Sequence, residues 1–316
     1  MKKLYIHIGP HKTGSTYIQK NLFECSQELL TAGIFYPERL VGPQWGHHQL
    51  AEKIKQRNKK EIEDLLSSKE DNLLISSENF EDLTNEDISY FSCFLKGFSV
   101  EVVFFKRSYS KLLVSAWQES VKHGKFQTWS EFFLAHVLKP FKSQILNSSS
   151  VVDKWSVIAD KIHVFDYEAM LSDGLDIAQS MCEKVLGVNI SVKPAAINQS
   201  MHLADIEVIR MLNYRYAQKT NSPPRTFVRD AYLKLKLLKD ESVGLAFETV
   251  KSNLVKESLD DSWTINFFEK KFSYKDNMYF AKDTASTNIC FLPSANTSLD
   301  RDFINSLAAI EKKLDV

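Results

Sequence analysis

Leu4-Tyr5-Ile6-His7-Ile8-Gly9-Pro10-His11-Lys12-Thr13-Gly14-Ser15-Thr16 is the stretch whose reading decides the fold. A short apolar run ends in glycine, as a buried strand does, and a glycine-containing loop follows. Beyond the loop, Ile18, Leu22, Cys25 and Leu29 recur at helical spacing until Gly33 stops the helix. A strand, a loop with glycine and lysine, then a helix is the layout of a phosphate loop. The helix N-terminus offers backbone N–H groups and the positive end of its dipole to an anion. Gly14 lets the backbone approach closely, Ser15 and Thr16 add hydroxyl donors, and Lys12 supplies charge from within the loop. The nucleoside triphosphatase pattern GxxxxGK[ST] is nearly met, but Ser15 stands where that pattern needs lysine.

Working outward, Leu73–Ile75, Val100–Phe105 and Ile162–Phe165 read as further buried strands. Helical patterns lie between them at Leu83–Lys96, Ser108–Lys122 and Ser130–Leu138. Strands alternating with helices predict an α/β fold: a parallel sheet of the P-loop type flanked by helices. Beyond Pro194 the pattern turns helical, through Ile206, Ile209, Leu212 and Tyr216 and on to about Phe272, with a break at Asn221–Pro224 and no convincing strand. The expectation is one domain over 1–316. Residues 1–190 would form the nucleotide-binding core and 195–316 a mainly helical extension.

Composition narrows the function classes. Of 316 residues, 44% are hydrophobic and 25% charged, and forty basic residues balance forty acidic ones. That is ordinary for a globular protein and gives no global charge argument for nucleic acid or an anionic membrane. The four cysteines, Cys25, Cys93, Cys182 and Cys290, form no CxxC pair and read as mostly buried, reduced thiols. Met1-Lys2-Lys3 precedes only a short apolar run, and no stretch reaches membrane-span length, so a cytoplasmic location without a transmembrane segment is expected. His7, His11, His47 and His48 fit no familiar zinc spacing, and no metal is expected.

A second anion site is legible after the third long strand. Val102–Phe105 leads into Lys106-Arg107, and a helix carrying Ser115 and Trp117 follows. An arginine at the carboxyl edge of a parallel sheet sits where such folds bind ligands, and its planar charge suits phosphate. With these residues assembled, the chain resembles the sulfotransferase family in its bacterial, P-loop form. Pro10–Thr16 resembles that family's 5′-phosphosulfate loop. Arg107 with Ser115, eight residues on, resembles its 3′-phosphate motif, and Leu74–Phe80 its segment after the second core strand. Asn198-Gln199-Ser200, leading to Asn213, is similar to bacterial members; the likeness covers about the first 215 residues.

The resemblance implies 3′-phosphoadenosine 5′-phosphosulfate as the sulfuryl donor. Lys12, Thr13, Gly14, Ser15 and Thr16 would hold its 5′ end, Arg107 and Ser115 its 3′-phosphate, and Trp117 is a candidate nucleoside contact. Lys12 would also act in catalysis by meeting charge on the leaving oxygen. The acceptor hydroxyl needs a base. Glu78 is the first candidate, His48 in Trp45-Gly46-His47-His48 the rival, and Glu38 the third. The acceptor class favoured is a carbohydrate hydroxyl, on a saccharide or glycolipid, with Trp45, Phe80 and Trp129 as aromatics able to stack on sugars. A P-loop kinase or other nucleotide-dependent phosphotransferase is the alternative, with Glu78 or Glu81 as acidic magnesium ligand. A catalytically silent nucleotide-binding scaffold is the third reading.

Overall fold

The computed structural model describes residues 1–67, 72–193, 201–261, 278–279, 287–294, 297 and 300–314. They fall into two compact units. The first takes 1–108, 147–193 and 278–279; the second takes 109–146, 201–261 and the described residues from 287 onward.

The first unit is an α/β sheet of the P-loop type. Six parallel strands, β1 (Lys2–His7), β2 (Ile34–Phe35), β3 (Asn72–Ser76), β4 (Phe98–Lys106), β5 (Lys161–Asp166) and β7 (Met278–Tyr279), run in the order β2-β3-β1-β4-β5-β7. Alternate residues of each strand feed opposite faces. Leu4, Ile6, Leu73, Ile75, Val100, Val102 and Phe104 pack with Trp155, Phe80 and Phe91 on one side. Tyr5, Leu74, Val103, Phe105 and Phe165 pack with Ile18, Leu22 and Met181 on the other. Both faces being covered explains why these strands read as unbroken apolar runs.

β1 lies between β3 and β4 in register, with Ile6 opposite Ile75 on one side and Val102 on the other. The chain builds outward from β1 first through β3 and then, reversed, through β4. The loop after β1 therefore leaves the sheet at its topological switch point, where α/β sheets open a crevice for ligands.

The second unit gathers the helices Tyr109–Lys122, Trp129–Val137, Leu203–Thr220, Phe227–Leu237, Glu241–Ser252 and Arg301–Lys313. Asn213 is fully buried and donates to the carbonyls of Val121 and Lys125, tying Leu203–Thr220 to the end of Tyr109–Lys122. Arg215 meets Glu311 in a bidentate pair at 2.7 and 2.8 Å. No helix among the described residues is long and apolar enough to cross a membrane.

Several expectations need correction. The C-terminal part is not strand-free: β6 (Leu254–Asp260) pairs antiparallel with β8 (Thr287–Pro293), and β7 extends the main sheet. Leu254-Val-Lys-Glu-Ser-Leu-Asp mixes charge with apolar residues, so its strand character depends on a distant partner rather than on its own pattern. The helix expected from Leu83 to Lys96 spans only Asn85–Ser92, set by a Thr84–Asp87 capping box. The helix after the loop breaks at Cys25 into Ser15–Glu24 and Ser26–Thr31. Cys25 and Cys182 are buried, but Cys93 is exposed. Asn198-Gln199-Ser200 and residues 262–272 lie outside the described residues.

Candidate functional site

Three backbone hydrogen bonds lock the loop's base to both neighbouring strands. Ser77 N–H donates to His7 O (3.0 Å), Ile8 N–H to Val103 O (3.0 Å) and Phe105 N–H to Gly9 O (3.1 Å). The loop then turns through left-handed backbone at Lys12 (φ 68°) and Gly14 (φ 77°). A lysine rarely takes that conformation, and here it is stabilised from two directions. The hydroxyls of Thr13 (2.6 Å) and Ser15 (3.1 Å) both donate to Pro10 O, closing the loop on itself. From outside, the Arg107 guanidinium donates through Nη1 to the Lys12 carbonyl.

Gly14 is the N-cap of Ser15–Glu24, with no side-chain cap and no acidic residue in the first turn. Helices need their first N–H groups satisfied, and this one brings no side chain of its own to do so. The dipole's positive end and the half-buried Lys12 side chain make this N-terminus a candidate anion site. Of the hydroxyls expected to bind it, those of Thr13 and Ser15 are turned into the loop, and Thr16 is half-buried on the first helical turn.

Arg107 stands at the exit of β4, half-buried over the Tyr167 ring (5.2 Å to its centroid), with Nε donating to Glu168 Oε1 at 3.1 Å. Ser115 is half-buried on the helix Tyr109–Lys122, in the second unit. Trp117 is a core residue, fully buried with its indole N–H on Gln127 O, and so is not a nucleoside contact.

At the exit of β3 the structure gathers a buried polar cluster. Glu78 begins the 3₁₀ turn Glu78–Asp82 and is 6% exposed. Its Oε2 accepts from Gln19 Nε2 at 2.6 Å and lies 3.8 Å from His48 Nδ1; its Oε1 lies 4.0 Å from His11 Nδ1. The first two base candidates therefore converge. Glu38 does not join them: it is exposed and lines a surface cavity of about 630 Å³ with Ser26, Leu30 and Arg39.

The paired histidines are not a surface loop. His47 is fully buried, accepts from Ser76 N–H through Nδ1 (3.2 Å) and donates from Nε2 to Pro37 O (2.9 Å). Burial pushes its pKa down to about 4, so it stays neutral and structural. His48 opens the helix His48–Lys55, bonded through Nδ1 to Ser77 Oγ at 3.0 Å, with Nε2 buried and without a hydrogen-bond partner among the described residues. His7, under the loop, pairs its Nδ1 with Ser76 Oγ (2.7 Å), and burial lowers it to about 4 as well.

Gln19 was missed as a site residue, and Glu81 was read only as a magnesium ligand of the kinase alternative. Gln19 reads in sequence as one more position of an amphipathic helix. Glu81 lies on the same turn as Glu78 and accepts from His11 N–H at 3.3 Å. Burial, aided by Asp82, pushes its pKa up to about 8. Of the sugar-stacking candidates, Phe80 is fully buried against Trp155 and is core. Trp129 is half-buried in the second unit against Trp117 and Phe133. Trp45 is half-buried, with Lys20 Nζ 5.5 Å from its ring centroid.

No protein-family model and no curated protein sequence matches the chain. Among solved structures it is similar to a sulfotransferase from Alicyclobacillus acidocaldarius, with a TM-score of 0.39 and 10% identity over 68% of this chain and 95% of that one. It is also similar to a chain from the PezAT chromosomal toxin–antitoxin system of Streptococcus pneumoniae, with a TM-score of 0.27 and 13% identity over 69% of this chain and 87% of that one. Likenesses this distant carry no argument about function, which rests on the site itself.

Proposed function

We propose that this chain is a sulfotransferase that moves a sulfuryl group from 3′-phosphoadenosine 5′-phosphosulfate to an acceptor hydroxyl, on a saccharide or glycolipid. The observation that carries the reading is the loop: an uncapped helix N-terminus with a lysine inside the loop, and none after Gly14, at the switch point of a parallel sheet. A triphosphate-binding loop places its lysine after that glycine to reach the terminal phosphate. Lys12 is placed for a shorter diphosphate-like group.

The donor set fits such a ligand. Lys12 and the N–H groups from Thr13 to Thr16 would hold the 5′ end and stabilise negative charge as the sulfur–oxygen bond to the phosphate breaks. Arg107 would hold the 3′-phosphate. Glu78 would take the acceptor hydroxyl proton as the new oxygen–sulfur bond forms, with His48 beside it as the alternative base. Trp45 supports a sugar acceptor, since it is a partly exposed aromatic one residue from Gly46, which closely approaches Gln19 in the Glu78 cluster.

Calorimetric titration tests this. Binding of 3′-phosphoadenosine 5′-phosphate that exceeds 5′-AMP binding and weakens in Arg107→Ala is expected. Binding of Mg-ATP with no response to the 3′-phosphorylated nucleotide would replace the reading with a kinase, and silence with both would leave a scaffold.

A further inference from the structure

We infer that Gln19 is a positioning residue that decides which oxygen of Glu78 receives the acceptor's proton, and that Gly46 exists to make room for it. This rests on reading Glu78 as the base. The carboxylate's two oxygens have different surroundings. Oε2 is taken: Gln19 Nε2 donates to it at 2.6 Å, and His48 Nδ1 faces it at 3.8 Å. Among the described residues, Oε1 has only His11 Nδ1, at 4.0 Å, on the half-exposed loop side. A carboxylate held by one oxygen cannot rotate freely, so the other keeps a fixed direction toward the phosphate loop.

The residue type matters. A lysine at position 19 would hold Glu78 as a charge pair and weaken it as a base, and a glutamate would repel it. An amide supplies a neutral donor that fixes orientation without adding a charge beside the carboxylate. The amide nitrogen is the atom that must face the carboxylate, because an amide oxygen there would oppose it. That leaves Gln19 Oε1 buried without a hydrogen-bond partner among the described residues. An unsatisfied buried acceptor is a cost that folds retain where another demand outweighs it.

Gly46 supplies the second, independent observation. A Cβ there would lie 2.7 Å from Gln19 Cδ and 2.8 Å from both amide heteroatoms. The segment has no slack to retreat, since Gly42 N–H bonds Gly46 O (2.9 Å) and His47 N–H bonds Ser76 O (2.7 Å). A side chain at position 46 would therefore have to displace the amide in front of it, while the glycine's own backbone, which is not left-handed, makes no such demand.

The titratable groups around Glu78 are His7 from β1, His11 from the loop, Tyr36 after β2, His48 from its helix and Glu81 from the same turn. The test follows the Glu78 carboxyl carbon by NMR in protein labelled at glutamate, assigned by its loss in Glu78→Gln. In Gln19→Leu its resonance should move at constant pH, as expected when a carboxylate loses its hydrogen-bond donor. Gly46→Ala, which displaces the amide without deleting it, should move it the same way by less. The double variant Gly46→Ala/Gln19→Ala should match Gln19→Ala alone, because alanine removes the overlap. An unmoved resonance in Gln19→Leu, or additive effects in the double variant, would overturn the inference. In a donor-turnover assay with a saccharide acceptor, Gln19→Leu should lower kcat about tenfold and leave the affinity for 3′-phosphoadenosine 5′-phosphate unchanged. If that nucleotide fails to bind the wild type, the sulfotransferase reading falls, while the NMR comparison still judges Gln19.

Discussion

β3 and β4 leave the sheet on either side of the same loop, and they deliver opposite chemistry. The exit of β3 is closed and layered: Ser76, Ser77 and Glu78 are buried, and Gln19, His7 and His47 around them are fully buried. The exit of β4 is half-open, with Arg107 laid over Tyr167 and bonded to Glu168 and to the Lys12 carbonyl. On the proposed reading, the difference teaches how one sheet edge divides labour. Burial among largely neutral partners suits a carboxylate that must take and release a proton. A partly solvated guanidinium, permanently charged, suits gripping a phosphate that must also leave.

That division can be broken from either side. The largest effect expected is on turnover in Glu78→Gln, a loss of about 10²–10⁴ with nucleotide affinity retained, as removal of a general base gives. An unchanged pH–rate profile in that variant would transfer the role to His48. Next comes Lys12→Ala, which should cost on the order of 3 kcal/mol of barrier stabilisation, a hundredfold or more in turnover, with modest loss of nucleotide binding. Turnover equal to wild type would remove Lys12 from the reaction.

Arg107→Ala should act on the other quantity. Losing charge-assisted hydrogen bonds of about 1.5–3 kcal/mol should weaken binding of 3′-phosphoadenosine 5′-phosphate by roughly ten- to a hundredfold. Equal weakening of 5′-AMP would show that Arg107 only supports the loop through the Lys12 carbonyl.

The smallest effect concerns Glu81, which shares the closed side. Its folded pKa of about 8 lies above the ordinary 4.5. Between those values the folded chain keeps a proton that the unfolded chain releases, so this group's contribution to stability falls as pH rises from about 4.5 to 8. Glu81→Gln should therefore flatten the fall in Tm between pH 5 and pH 8 by about 2–4 °C. An unchanged slope would mean that Glu81 is ionised at neutral pH, placing a second charged carboxylate beside Glu78.

The two exits were unequally legible in sequence. Arg107 announces itself, because a basic residue directly after an apolar run needs only local reading. Glu78 is visible by the same rule, but its partners are not. Gln19 lies 59 residues away, and Ser76 reaches His47 across 29. No periodicity within either segment encodes those meetings, and His47-His48 looks in sequence like polar loop when one of the pair is a fully buried strut.

By itself the sequence determined the long strands β1, β3, β4 and β5, the glycine- and lysine-bearing loop after β1 and the cation at the end of β4. Each of these is a local matter of apolar runs, glycine and chain order. Only the tertiary structure decided the partners of β2, β6, β7 and β8, the burial that raises Glu81, and the contact between Gly46 and Gln19. The physical reason is the same in each case. Short or charged strands acquire their conformation from a partner's unpaired backbone, and a carboxyl acquires its proton affinity from whatever removes its water. Both are properties of neighbours that the chain supplies only after it has folded.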